Sequence, residues 1–202
     1  MYTYRIPKIV KAAYPSVTWS KPKSEGKVYF TFDDGPHPES TPAILEMLDQ
    51  FGVKATFFCV GDNVQKYPKL YQEIIDKGHA VGNHTFNHLN GMKTPKTEYL
   101  SNVEKAAEVI DSKLFRPPYG KMKMNQLSQL KKKYQVVMWT LLIGDFDPSL
   151  TKEQCFFVLK NKMKAGDIIV LHDNIKAFDK MIFTLEKGLE LAQQKKLELA
   201  IL

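Results

Sequence analysis

Cysteine is scarce in this sequence. Cys59 and Cys155 are the only two among 202 residues, too few for a disulfide framework. Each lies in an apolar stretch, Thr56-Phe57-Phe58-Cys59-Val60 and Cys155-Phe156-Phe157, which predicts two buried thiols with no chemistry of their own. No run approaches the roughly 20 apolar residues that a membrane span needs. Residues 1–14 also lack the uninterrupted apolar centre of a signal peptide, so the expectation is a chain without a membrane span, cytoplasmic by default. Linkers, repeats and low-complexity tracts are missing as well. A chain of this length that is 44% hydrophobic is long enough to bury one full core, and a single domain and a monomer are expected.

Acidic residues are the minority: 22 Asp and Glu stand against 29 Lys and Arg, a net charge of +7. Such an excess points to an anionic partner only when the cations cluster on one face, and here they are scattered. The one dense run, Lys131-Lys132-Lys133, falls between a helical segment and a strand, where it reads as a solvated helix end. Nucleic acid is therefore not an expected partner.

What the sequence does have is regular alternation. Residues 28–32 form a β-branched and aromatic run that reads as a buried strand. A helix follows from Thr41, with Pro42 in its first turn, Ile44, Leu45, Leu48 and Phe51 on one stripe, and Gly52 as its stop. The pattern recurs with strands over 55–60, 79–82, 114–115, 135–142, 167–171 and 197–202, and helices over 68–77, 96–112, 123–133, 151–164 and 178–194. Strand and helix alternating about seven times with short connections predict βα units around a parallel sheet. The fold class is α/β, a distorted seven-stranded (β/α) barrel over 27–202 preceded by an N-terminal extension, 1–26.

Reactive residue types gather at the ends of these strands. Asp33 and Asp34 follow the first, His84 and His88 the third and Arg116 the fourth; Asp145 lies past Leu142, and His172 ends the strand 167–171. In a parallel barrel those ends converge on one face, where such folds build active sites. Singly, each has a plain structural reading. Asp33-Asp34-Gly35-Pro36 has turn chemistry, and the pair His84-Thr85-Phe86-Asn87-His88 lacks the glutamate of a zinc-protease helix and is flanked by loop formers. Arg116-Pro117-Pro118-Tyr119-Gly120 would serve as a rigid connector. His79 reads as structural, and His37 has no assigned chemistry.

Taken together, these motifs resemble the polysaccharide deacetylase family, carbohydrate esterase family four, over about residues 27–202. Thr31-Phe32-Asp33-Asp34-Gly35-Pro36 matches its first motif, His84-Thr85-Phe86-Asn87-His88 the second, Arg116-Pro117-Pro118-Tyr119-Gly120 the third and Ile169-Val170-Leu171-His172-Asp173 the last. The resemblance implies a hydrolase of carbon–nitrogen bonds other than peptide bonds, removing N-acetyl groups from an amino-sugar polymer or oligomer such as chitin or peptidoglycan. It implies a divalent metal, zinc first with cobalt or nickel as alternatives, on Asp34, His84 and His88. Asp33 would be the general base, His172 the general acid, Arg116 the holder of Asp33, and the Tyr119 N–H an oxyanion donor. A same-fold amidase on a small amide and a vestigial carbohydrate-binding protein are the alternatives.

The fourth motif departs from the family pattern. In Trp139-Thr140-Leu141-Leu142-Ile143-Gly144-Asp145-Phe146-Asp147, Leu142 occupies the first aspartate position and Phe146 that of the second tryptophan. A buried, always charged guanidinium calls for compensation: Asp145 or Asp147 could supply it, or Asp33 alone could offset the charge. Asp145 is expected to approach Arg116 in place of the acid missing at Leu142, against the plainer reading in which Asp145 and Asp147 only form the turn before the helix at Thr151.

Overall fold

Seven strands run parallel in one curled sheet: β1 (Lys27–Asp33), β2 (Thr56–Cys59), β3 (Ala80–Asn83), β4 (Leu114–Phe115), β5 (Gln135–Val136), β6 (Leu141–Leu142) and β7 (Ile168–His172). Their order is β5-β4-β3-β2-β1-β7-β6, and β8 (Glu198–Leu199) pairs with one end of β1. The structure, a computed structural model, describes residues 3–202; Met1 and Tyr2, the tip of the expected extension, lie outside the described residues. Parallel neighbours need long crossovers. These are supplied by α2 to α8, which follow α1 (Lys8–Ala13) as α2 (Ser40–Gln50), α3 (Gly61–Lys66), α4 (Pro68–Asp76), α5 (Lys96–Ala107), α6 (Met124–Leu130), α7 (Lys152–Lys162) and α8 (Phe178–Gln194). None of the described helices is long and apolar enough to cross a membrane.

The side-chain period of two divides each strand between two cores. Val28, Phe30 and Phe32 of β1, Phe57 of β2 and Ile169 and Leu171 of β7 pack outward with Ile44, Leu48, Leu185 and Leu189 of the helices. Tyr29, Phe58, Ile168 and Val170 point inward, into a second cluster with Phe115, Trp139 and Leu142. Both faces of the sheet are thereby covered, which is why the central strands read as continuous apolar runs.

The segment 135–142, expected as one strand, is split between β5 and β6. Its first half pairs with the β4 side, where Val137 N–H donates to the Phe115 carbonyl at 2.8 Å, and its second half with the β7 side, where Thr140 N–H donates to the Ile168 carbonyl at 3.0 Å. One extended segment spans the open side of the half-barrel, and serving two differently directed edges breaks its ladder in the middle. Residues near the N-terminus lie along this segment: Thr18 N–H donates to the Val136 carbonyl and Leu142 N–H to the Tyr4 carbonyl, both at 2.8 Å. Arg5 adds a two-toothed pair with the buried Asp167, at 2.9 and 2.7 Å, and Val17 and Trp19 join the inner cluster.

Two short helices, α1 and α3, were not anticipated, since neither is long enough to show an apolar period. Cys59 and Cys155 are buried free thiols. His79 is a core residue: its Nδ1 accepts from Ala55 N–H at 3.2 Å, its ring edges onto Phe57, and burial pushes its pKa down to about 4. Lys131, Lys132 and Lys133 are exposed after α6, with Lys133 paired to Glu104 at 2.9 Å.

Candidate active site

Alternation and register build the site before any individual contact does. Thr31 and Asp33 follow Tyr29 at steps of two and so face the interior, as His172 does after Ile168 and Val170. The pairing of β1 with β7 sets Asp33 directly opposite His172. The pairings of β2 with β3 and of β3 with β4 bring Asn83, and with it His84, level with Phe115 and Arg116. Five segments thus deliver their reactive residues to one end of the half-barrel.

Asp34, His84 and His88 form the cluster that could hold a metal: one donor atom from each lies within 4.8 Å of the other two. Asp34 Oδ1 is 3.1 Å from His88 Nε2 and 3.7 Å from His84 Nε2. The Nδ1 of His84 faces the Arg116 carbonyl at 2.7 Å. A carbonyl can only accept, so Nδ1 carries the proton and Nε2 presents its lone pair to the cluster. Burial lowers the His84 pKa to about 4 against the pull of Asp33, which keeps the ring neutral and able to ligate. Burial alone would raise the Asp34 carboxyl, but the His88 hydrogen bond and the surrounding imidazoles outweigh it and hold it well below the usual carboxylate range. Two imidazoles and one ionised carboxylate with coordination positions to spare fit a catalytic zinc-type ion.

The loop carrying the histidines is fixed by asparagines rather than by a helix. Asn83 Oδ1 accepts from Thr85 N–H at 2.9 Å, and Asn102 Oδ1 accepts from Phe86 and Asn87 N–H at 2.8 and 3.0 Å. Asp34, Thr85, His88 and Tyr119 all adopt left-handed backbone, with φ of 81°, 64°, 55° and 60°. Non-glycine residues pay for that conformation and keep it where the surroundings enforce it, as at functional sites.

Arg116 is fully buried and donates to four oxygens. Its Nη1 reaches Asp33 Oδ1 at 2.6 Å and Thr31 Oγ1 at 2.7 Å, while Nη2 and Nε reach the Met138 and Val137 carbonyls at 3.1 and 3.3 Å. Its guanidinium also lies 4.0 Å from the centre of the Phe58 ring. Burial pulls its pKa down while Asp33 supports the charge.

This arrangement corrects the expectation for Asp145. One carboxylate, one hydroxyl and two carbonyls take four of the five guanidinium N–H donors, and Asp33 supplies the opposing charge, so Arg116 is held without an acid at position 142. Asp145, itself fully buried, turns to His172: Oδ1 accepts from His172 Nδ1–H at 2.8 Å and Oδ2 from the His172 backbone N–H at 2.7 Å. Burial opposes charge on His172, but Asp145, aided by Asp34 and Asp33, outweighs it and raises the pKa to about 9.

Asp33, Asp34, His84, His88 and His172 line a cavity of about 390 Å³, whose other wall is the apolar set Trp139, Leu142, Phe146 and Val170. Tyr119, 59% exposed, stands at its mouth with its ring 4.6 Å from that of His88. The turn can lie this low only because residue 120 is glycine: a Cβ there would come within 2.4 Å of the Trp139 ring. Sequence reasoning missed three contributors, Asn63, Asn102 and Asn174. Asn63 Nδ2 donates to the Asp34 carbonyl at 2.8 Å and Asn174 Nδ2 to Asp34 Oδ2 at 2.7 Å. Asn63 lies in α3, Asn102 in α5 and Asn174 in the connection after β7; a single asparagine carries no motif signal in any of them, and only adjacency to His172 and Asp173 could have singled out Asn174.

Residues 20–138 match the polysaccharide deacetylase family model. A peptidoglycan-N-acetylglucosamine deacetylase of Bacillus cereus is 34% identical over 189 residues, 86% of this chain and 67% of that protein. A chitooligosaccharide deacetylase of Azorhizobium caulinodans is 35% identical over 159 residues, covering 75% of each. Among solved structures, a peptidoglycan N-acetylglucosamine deacetylase in complex with 4-naphthalen-1-yl-N-oxidanyl-benzamide superposes with a TM-score of 0.90 at 28% identity, covering 98% of this chain and 95% of that one. With these matches beside a strand-end site of three aspartates, three histidines and a buried arginine, the chain belongs to the polysaccharide deacetylase family.

Proposed function

We propose that this chain removes N-acetyl groups from N-acetylglucosamine polymers or oligomers, using a divalent ion, zinc by the chemistry of its donors, on Asp34, His84 and His88. The observation that carries the reading is the opposed pairing of two titratable groups across the site. Asp33 is held by a cation, Arg116 at 2.6 Å, and His172, its register partner, by an anion, Asp145 at 2.8 Å. A carboxylate facing a guanidinium and an imidazole facing a buried carboxylate support Asp33 as the base and His172 as the acid. The names of the relatives supply the substrate class.

When bound, the ion supplies Lewis acidity to the amide carbonyl and acidifies a water molecule. Asp33 Oδ1 is engaged by Arg116, while Oδ2, 3.9 Å from His84 Nε2, faces the cluster and is the atom to accept the proton of the attacking water. His172 has its Nδ1 tied to Asp145, which leaves Nε2 to protonate the departing amine. The Tyr119 N–H is proposed as a donor to the developing oxyanion, an interaction worth roughly 3 kcal/mol. Trp139, Leu142 and Val170 form an apolar wall suited to the acetyl methyl group.

The test is acetate release from a panel of N-acetylglucosamine oligomers and peptidoglycan fragments, before and after chelation and after readdition of zinc or cobalt. Activity lost on chelation and regained with the ion is the expected result. Undiminished turnover by metal-stripped protein would refute the proposal.

A further inference from the structure

Asn174 lies two residues beyond His172 and takes no part in the chemistry proposed above. We infer that it is a positioning residue for the metal site, holding Asp34 so that only one carboxylate oxygen is offered to the ion. This inference rests on the proposed metal role of Asp34.

The geometry leaves the Asn174 amide a single orientation. Its Oδ1 accepts from Ala177 N–H at 3.0 Å, at the approach to α8, and its Nδ2 donates to Asp34 Oδ2 at 2.7 Å. Were the amide turned over, an NH2 group would face the Ala177 N–H and a carbonyl oxygen would face a carboxylate, two repulsive contacts in place of two hydrogen bonds. Asp34 Oδ2 is thereby engaged, while Oδ1 points to His88 Nε2 at 3.1 Å and His84 Nε2 at 3.7 Å. Asn63 holds the Asp34 carbonyl at 2.8 Å, which supports the left-handed backbone at φ 81°. Main chain and carboxylate are thus gripped separately, by residues on two different elements.

A carboxylate tied at one oxygen ligates through the other alone. Such a ligand suits a small ion of low coordination number and disfavours a large one that takes carboxylates through both oxygens. Groups that orient a metal ligand in this way typically change metal affinity by about 10- to 100-fold when removed.

The experiment is zinc affinity by competition with a chromophoric chelator, together with the visible absorption spectrum of the cobalt-loaded protein, for the wild type, Asn174→Ala and Asn174→Asp. Asn174→Ala should raise the zinc dissociation constant about 10- to 100-fold and alter the cobalt spectrum, because the freed Oδ2 can join the coordination. Asn174→Asp keeps an acceptor for the Ala177 N–H but replaces the donor facing Asp34, so its cobalt spectrum should also differ from wild type. A merely structural role would lower the melting temperature of the metal-free variants and leave zinc affinity and cobalt spectra unchanged, and that result overturns the inference. A wild-type protein that binds no divalent ion would refute the metal site itself, so the two failures are distinguishable.

Discussion

Replacing Asp145 with asparagine tests the assignment of the acid more directly than deleting His172. The pKa of His172 is raised from an ordinary 6.5 to about 9, a difference of 2.5 that at 1.36 kcal/mol per pH unit is roughly 3 kcal/mol in favour of the imidazolium. Burial works against that charge, so the favourable part comes from the carboxylates, Asp145 foremost. A bound divalent ion would offset the smaller contributions of Asp34 and Asp33, leaving Asp145 as the dominant one. Asparagine has one acceptor oxygen where Asp145 uses two, for the His172 N–H and Nδ1–H, and it brings no charge. The His172 pKa should fall to its ordinary value or lower. At pH 8 an acid of pKa 9 is about 90% protonated and one of 6.5 about 3%, and a bound ion lowers the wild-type value, so kcat/KM should drop by up to roughly 30-fold there. The sign is definite: the stimulating form is the protonated one, so the alkaline limb of the profile moves toward acid, and the deficit shrinks as pH falls toward 6. The assay is the pH profile of kcat/KM for acetate release by both proteins. An alkaline limb that stays in place in Asp145→Asn, with only a uniform loss of rate, would show that His172 is not the acid or that Asp145 does not set its charge.

Asp33→Asn should retain zinc at near wild-type affinity while kcat falls by roughly 10²- to 10⁴-fold, the usual worth of a positioned base; loss of the metal in a zinc titration would contradict the separation of roles between Asp33 and Asp34. His84→Ala and His88→Ala should both weaken zinc binding. Only His84→Ala should also cost about 2 kcal/mol or more in metal-free stability by denaturant unfolding, because His84 is fully enclosed and its loss leaves the Arg116 carbonyl without its donor. Arg116→Met should destabilise the fold by about 3–5 kcal/mol by leaving Asp33 buried without its cation, and adding Asp33→Asn should recover part of that loss; a double variant no more stable than Arg116→Met would argue against the pairing.

The sequence by itself determined the longer strands and helices and where the chemistry falls along them. Runs such as 28–32 and 167–171 could be read as buried strands because both faces of a parallel sheet are apolar, and the reactive residues stood at the strand ends in motif order. Three matters belonged to the tertiary structure. The apolar run 135–142 looks uniform, yet it must pair with two separate sheet edges and so divides into β5 and β6. The sequence offers Asp145 as a partner of Arg116 because a buried cation calls for an acid. Main-chain carbonyls and a threonine hydroxyl met that need instead, and backbone acceptors 21 and 22 positions away in the chain leave no trace in a side-chain pattern. Asn63 and Asn174 became part of the site only when folding brought donors 29 and 140 positions distant onto the two ends of Asp34. Periodicity and motif spacing report what a residue faces, whereas the partner of a polar group is set by strand register and chain crossing, which exist only once the sheet has formed.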